Sequence, residues 1–296
     1  MNHAAPLTLP PGSNTAVEAV VRYCVRNPLV ALSALLLVAI VLVAIFAPWL
    51  SPHDPFELQP VMRLRPASET HWLGTDAYGR DLLSRIFYGA RISLVIGLGA
   101  ALLSVAIGMM LGLIAGYMRR VDAVLMRFVD GMMAIPNTLL AISIVTLVGA
   151  NIWTVMLAIT IPEVPRVIRL VRSVTLGTRE EAYVEAAITL GSSTSRILWR
   201  HLMPNTIAPL IVQGSYVCAS AILTESILSF LGAGINPVTP TWGNIMADGR
   251  AYFRIMPGLI FWPGLCVSLT ILSINLIGDA ARDALDPRMA KRGVGR

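Results

Sequence analysis

The chain has 296 residues, of which 55% are hydrophobic and only 14% charged, and its mean hydropathy is +0.70. A soluble domain carries about a quarter charged residues, so this composition argues against a soluble enzyme or binding module and for a membrane protein. The net charge of +6 is explained by where the basic residues fall and needs no nucleic acid.

Residues 1–20 lack periodicity and begin a flexible N-terminal tail, 1–28. Apolar runs at 29–50, 92–117, 129–149, 152–170, 206–234 and 258–279 are each about long enough to cross a bilayer core as a helix. Pro136, Pro162 and Pro165 interrupt the third and fourth, which is tolerated where neighbouring helices satisfy the freed backbone groups. The expectation is an all-α polytopic membrane protein with six transmembrane helices. The first run is no cleavable signal, because it is long and ends in Ala47-Pro48-Trp49-Leu50 without a cleavage site. It is a first span, anchored at the interface by Trp49.

A loop, 51–91, follows, proline-rich at first (Pro52, Pro55, Pro60, Pro66). Between Gly74 and Leu94 its character changes. Leu82, Leu83, Ile86 and Phe87 recur at helical spacing, with Arg80, Asp81, Arg85 and Arg91 on other faces. That pattern fits an amphipathic helix along the outer interface, and equally a solvated loop helix packed on the bundle.

The remaining five spans form a core, 92–279, before a C-terminal tail, 280–296. In the second span Gly108, Gly112 and Gly116 recur every fourth residue after Ser104. Such a stripe lets another helix approach closely and predicts packing, not chemistry. Long-period repeats, common in secondary transporters, are not visible.

With six spans, sixteen of the 23 basic residues share one side. They are Arg22 and Arg26, then Arg119, Arg120 and Arg127, then Arg166 to Arg200, then Arg282 to Arg296. The excess places both termini and the 166–204 segment in the cytoplasm. Cys24, Cys218 and Cys266 are far apart, and His3, His53, His71 and His201 are scattered, so no metal site is expected.

Within the cytoplasmic segment, residues 178–204 form a polar helix–glycine–helix. Thr178 and Glu181 fit a capping box. Tyr183, Ala186, Ala187 and Leu190 share a face, and Gly191 stands where a left-handed C-cap is wanted. Ser192 or Ser193 then caps a second helix with Ile197, Leu198 and Leu202 that ends before Pro204. Three uses compete. A DNA-binding helix-turn-helix with Arg196 and Arg200 on phosphates is hard to reach DNA from between two spans. A loop that merely covers the bundle needs no partner, and a docking element for a cytosolic protein uses Ala186, Ala187 and Gly191 for close approach.

A phosphate-binding loop needs a lysine, and the single lysine, Lys291, lies in the C-terminal tail without the glycine pattern before it. ATP hydrolysis is therefore expected on another chain. No H-E-x-x-H or G-x-S-x-G motif occurs, so no catalytic residue is assigned. Glu225 is the one acid well inside a span. It is either hydrogen-bonded at a helix contact or, with Ser229, a lining group of a translocation path; an ion-coupled carrier or channel would also use it.

The spacing Glu185-Ala186-Ala187, Gly191 and Pro204 resembles the EAA loop of permease subunits of ABC importers. The pattern departs only at His201-Leu202-Met203, and a histidine there is similar to the peptide/nickel branch. Gly74-Thr75-Asp76, Gly79-Arg80-Asp81, Leu228 to Gly232, Trp242-Gly243 and Asn275 to Asp279 resemble the C-type permease of dipeptide and oligopeptide importers over residues 20–290. The resemblance implies a type I ABC importer permease fold in the bacterial cytoplasmic membrane. It implies coupling helices at 178–204 that seat Glu185, Ala186, Ala187, Gly191, Ser192, Arg196, Arg200, His201 and Pro204 against an ATPase subunit. It also implies a second homologous permease subunit, one or two cytosolic ATPases that hold ATP and magnesium, an extracytoplasmic binding protein, and peptides as substrate. Nickel and glutathione are the alternatives within the family. No cofactor on this chain is implied.

Overall fold

The computed structural model describes residues 27–285. The expected flexible tail, with His3, Arg22, Cys24 and Arg26, and the C-terminal 286–296, with Lys291, lie outside the described residues.

Every regular element among the described residues is helical: α1 (Pro28–Leu50), α2 (Leu82–Tyr117), α3 (Arg119–Met133), α4 (Asn137–Val148), α5 (Ile152–Arg179), α6 (Ala182–Thr189), α7 (Thr194–Phe230), α8 (Trp242–Gly249) and α9 (Gly258–Leu285). By length and apolarity α1, α2, α7 and α9 can cross a membrane. A fifth crossing exists if α3 and α4, bent by 88° from one another, form one broken span. The expected third span is this bent pair. Pro136 disfavours helical geometry at Ile135 and offers no N–H, so the run breaks there. The expectation of six depends on adding α5, which has 28 residues but carries Glu163, Arg166 and Arg169.

Helix α2 forms the axis of the bundle, flanked by α1, α5 and α7. Its glycine stripe faces α5 in register. An added Cβ would lie 2.5 Å from Val167 Cβ at Gly108, 2.7 Å from Val171 Cβ at Gly112 and 2.6 Å from Thr175 Cβ at Gly116. On another side, Gly97 leaves room for Ile222 of α7. In a membrane, where lipid is as apolar as leucine, such close backbone approach is what holds helices together.

Of the two expectations for residues 74–94, a helix along the interface or a loop helix packed on the bundle, the structure has the packing of the second: from Leu82 the segment is the first turns of α2. Leu82, Ile86 and Ala90 pack on Trp242, Ile245 and Leu259 of α8 and α9, and the Trp242 indole donates to the Ile86 carbonyl at 3.2 Å. Arg85, assigned by the pattern to a surface face, is 0% exposed. It lies 3.5 Å from Asp76 and 3.4 Å from Asp248. Arg80 donates to Asp76 at 2.6 Å and to Asp248 at 2.9 Å. Charges that suggested a solvated face are thus paired inward, and α8 with the 51–81 loop caps this end of the bundle. Burial pushes the Asp248 carboxyl up from its ordinary value, and the Arg85 and Arg80 guanidiniums pull it back.

The glycine stripe gives a differential test by thermal unfolding of the detergent-solubilised chain. Gly112→Leu should lose about 1–3 kcal/mol by overpacking against Val171. Gly131→Ala in α3, with nothing within 4 Å of the added methyl, should be neutral or gain up to about 1 kcal/mol.

Candidate functional site

At the end of the bundle opposite the cap, α5 leads through Glu180 and Glu181 into α6, and Gly191 turns the chain into α7. The turn is a Schellman motif. Gly191 has φ +78°, its N–H bonds the Ile188 carbonyl at 2.9 Å, and the Ser192 N–H bonds the Ala187 carbonyl at 3.1 Å. No atom lies near an added Cβ at Gly191, so glycine is required by the backbone angle and not by crowding.

Three local expectations are corrected. The capping box does not form, because α5 continues through Thr178 and only the Thr178 carbonyl is used, accepting from the Glu181 N–H. Glu181 takes the N-cap position of α6 by backbone geometry alone, as Ser193 does for α7. Ala187 does not share the outer face with Tyr183, Ala186 and Leu190. With Val184 it turns inward, and Val184 joins Ile197 and Leu202 over Leu113, Val167 and Val171.

The second leg does not end before Pro204. It runs on as one 37-residue helix from Thr194 to Phe230, with a π-turn over Ile197–Leu202. Pro204 has no N–H for the Arg200 carbonyl and its ring crowds that group. The widened turn around Arg200 accommodates both, so the hairpin and the span are one continuous rod.

Outward the hairpin presents Tyr183, Glu185, Ala186, Ile188, Leu190, Gly191, Trp199 and the two arginines Arg196 and Arg200, all exposed. Leu190, at the corner, is 86% exposed. Among the described residues Glu185, Arg196 and Arg200 form no ion pair with this chain. His201 and Asn205 brace the two legs. The His201 ring lies 6.2 Å from that of Tyr183, and Asn205 donates to the Tyr183 hydroxyl at 3.1 Å and to the His201 carbonyl at 2.7 Å.

Glu225 is 0% exposed. It accepts from Ser93 of α2 at 3.2 Å and from Ser229 at 2.8 Å. Ser229 lies under Gly234 and Gly243, whose missing side chains leave it room. Both residues thus sit as a bonded contact among α2, α7 and the cap. A second buried acid, Glu163 of α5, accepts from Ser220 at 3.0 Å and from Arg166 at 3.3 Å. Its sequence position near a predicted span end concealed this. Two histidines that look scattered in the sequence also meet: the His53 and His71 rings are 4.5 Å apart beside Asp81.

Residues 104–291 match the family model described as a binding-protein-dependent transport system inner membrane component. Residues 18–67 match that of the N-terminal transmembrane domain of oligopeptide transport permease C. The chain is 48% identical over 273 residues to a probable peptide ABC transporter permease protein of Sinorhizobium fredii, covering 92% of this chain and 94% of that one. It is 41% identical to a dipeptide transport system permease protein of Alkalihalophilus pseudofirmus, covering 89% and 87%. It is 37% identical to a glutathione transport system permease protein of Pectobacterium atrosepticum, covering 90% of each chain.

The Gly191 geometry is testable by hydrogen exchange. Gly191→Val at a left-handed angle should cost about 1–2 kcal/mol locally and speed exchange in peptides covering 182–196 while α5 and α9 stay protected. Gly191→Asn, tolerated in that conformation, should stay close to wild type.

Proposed function

The chain belongs to the family of inner membrane components of binding-protein-dependent transport systems, and we propose that it is the permease subunit of an ATP-driven importer of short peptides. The observation that carries the coupling role is the braced hairpin with Leu190 exposed at its corner. An apolar side chain held rigidly in solvent, beside unpaired charges of both signs, suits a protein partner and gains nothing for a chain acting alone. The lack of a phosphate-binding loop supports placing ATP and magnesium on one or two partner ATPase subunits. The basic residues at the hairpin end support a cytoplasmic hairpin and cytoplasmic termini, with α3 and α4 as one broken span and α5 as the sixth.

On this reading the cap faces outward and receives a substrate-loaded binding protein. A second homologous permease completes the path, along which the exposed apolar faces of α2 and α7 meet lipid or that subunit. Closure of the ATPases displaces the hairpin and, through α7, switches the bundle between outward- and inward-open states. The peptide substrate rests on the relatives' names, among which glutathione, itself a small peptide, also stands.

The test is uptake of labelled dipeptide, tripeptide and glutathione in cells carrying the complete transporter. Leu190→Asp and Glu185→Lys should each lower uptake at least about tenfold, a coupling loss of about 1.4 kcal/mol or more, with the chain's amount in the membrane unchanged. Normal uptake by both variants would refute the coupling role. Transport of none of the three compounds by the wild type would refute the substrate class.

A further inference from the structure

Among the described residues, His53, His71 and Asp81 place three ligand atoms within 4.8 Å of one another. They come from separate parts of the cap: His53 from the exit of α1, His71 from the long loop, and Asp81 from the N-cap of α2. We propose that they bind one divalent first-row transition-metal ion of the zinc type, which fastens the cap to the start of α2.

The donor set suits such an ion, since two imidazole nitrogens and a carboxylate oxygen leave one tetrahedral position for water. His53, with its side chain 31% exposed, gives that position access to solvent. The spacing also fits. Bonds of about 2.0–2.2 Å around tetrahedral zinc hold donors roughly 3.3–3.6 Å apart. Asp81 Oδ1 lies 2.9 Å from His71 Nδ1 and 3.9 Å from His53 Nδ1, distances that bracket this spacing.

The observation that separates a metal site from a histidine–aspartate hydrogen bond is His53 Nδ1. It is buried, has no hydrogen-bond partner, and is too far from Asp81 to make one. A buried ring nitrogen left unpaired costs free energy, and a cation between the three groups satisfies it. The supporting shell is already in place. Asp81 Oδ2 accepts from the Ser84 N–H at 2.8 Å and from the Ser84 hydroxyl at 2.7 Å, which turns Oδ1 toward the histidines. The same hydroxyl accepts from the backbone N–H of His53 at 3.2 Å, and the Ser68 hydroxyl accepts from the backbone N–H of His71 at 3.1 Å, which fixes the chain at both residues. A carboxylate hydrogen-bonded through its other oxygen, as Asp81 is, is characteristic of metal ligands. With metal bound, His71 takes the tautomer that carries its proton on Nε2 and presents Nδ1 to the ion.

The experiment uses the full transporter complex, purified without a histidine tag and stripped with a chelator, with zinc and cobalt ions as probes. Wild type should bind one more equivalent of Zn²⁺ per chain than His53→Gln or His71→Gln, and should gain thermal stability from Zn²⁺ that both variants lack. Co²⁺ should give the visible bands of a tetrahedral N/O site in wild type alone, and His201→Gln, away from the cap, should keep them. Because the backbone N–H of residue 53 still bonds Ser84, His53→Gln should keep the wild-type helical content by circular dichroism, so its lost Zn²⁺ binding is not lost folding. Equal Zn²⁺ binding by wild type and His53→Gln, or no cobalt bands in wild type, overturns the site and leaves a hydrogen-bonded pair. These readouts do not involve peptide uptake, so they stand or fall apart from the substrate proposal.

Discussion

The close approach of α2 and α5 is the constraint on which the rest depends. A helix as long as α2 cannot be held in lipid by hydrophobic burial, because lipid offers the same apolar surroundings. Three absent side chains let Val167, Val171 and Thr175 sit against the α2 backbone instead. Polar contacts continue the same seam beyond the stripe. Arg179 donates to the Tyr117 carbonyl at 3.1 Å and Arg172 pairs with Asp122 across α5 and α3. The hairpin rests on the surface so formed, and its position follows from it.

The second leg of the hairpin is also the start of α7. A 37-residue helix rising about 1.5 Å per residue extends roughly 55 Å. At one end Tyr183 and Asn205 tie it to α6, and at the other Glu225, which also accepts from Ser229 one turn on, accepts from Ser93 of α2 beneath the cap. In the proposed cycle this gives a mechanical route between the two faces of the membrane that needs no chain of small adjustments. The π-turn over Ile197–Leu202 interrupts its regular α-helical bonding near the hairpin end.

The sequence made the α-helical class, the glycine stripe and the Gly191 turn legible, because each rests on local spacing or on one residue's backbone freedom. It misled where a partner from elsewhere decides the outcome. Arg85 looks like a surface charge until Asp76 and Asp248 reach it, the latter 163 positions along the chain. Pro204 looks like a helix stop, and a widened turn carries the helix through. Ala187 looks equivalent to Ala186 by spacing, and only the packing of α6 on Ile197 sets their opposite faces. His53 and His71 are separated by a loop with no periodic pattern, so nothing local announces that they touch.

Leu190 has a consequence beyond its proposed part in docking. Alone in the membrane, the subunit must hold a leucine in water at the tip of a rigid turn, where no rearrangement of the neighbouring backbone can hide it. In the proposed assembly that cost vanishes once an ATPase subunit covers the corner. On that reading the residue distinguishes a solitary subunit from an incorporated one by the same physics that suits it to docking, and an unassembled copy advertises itself as a sticky surface.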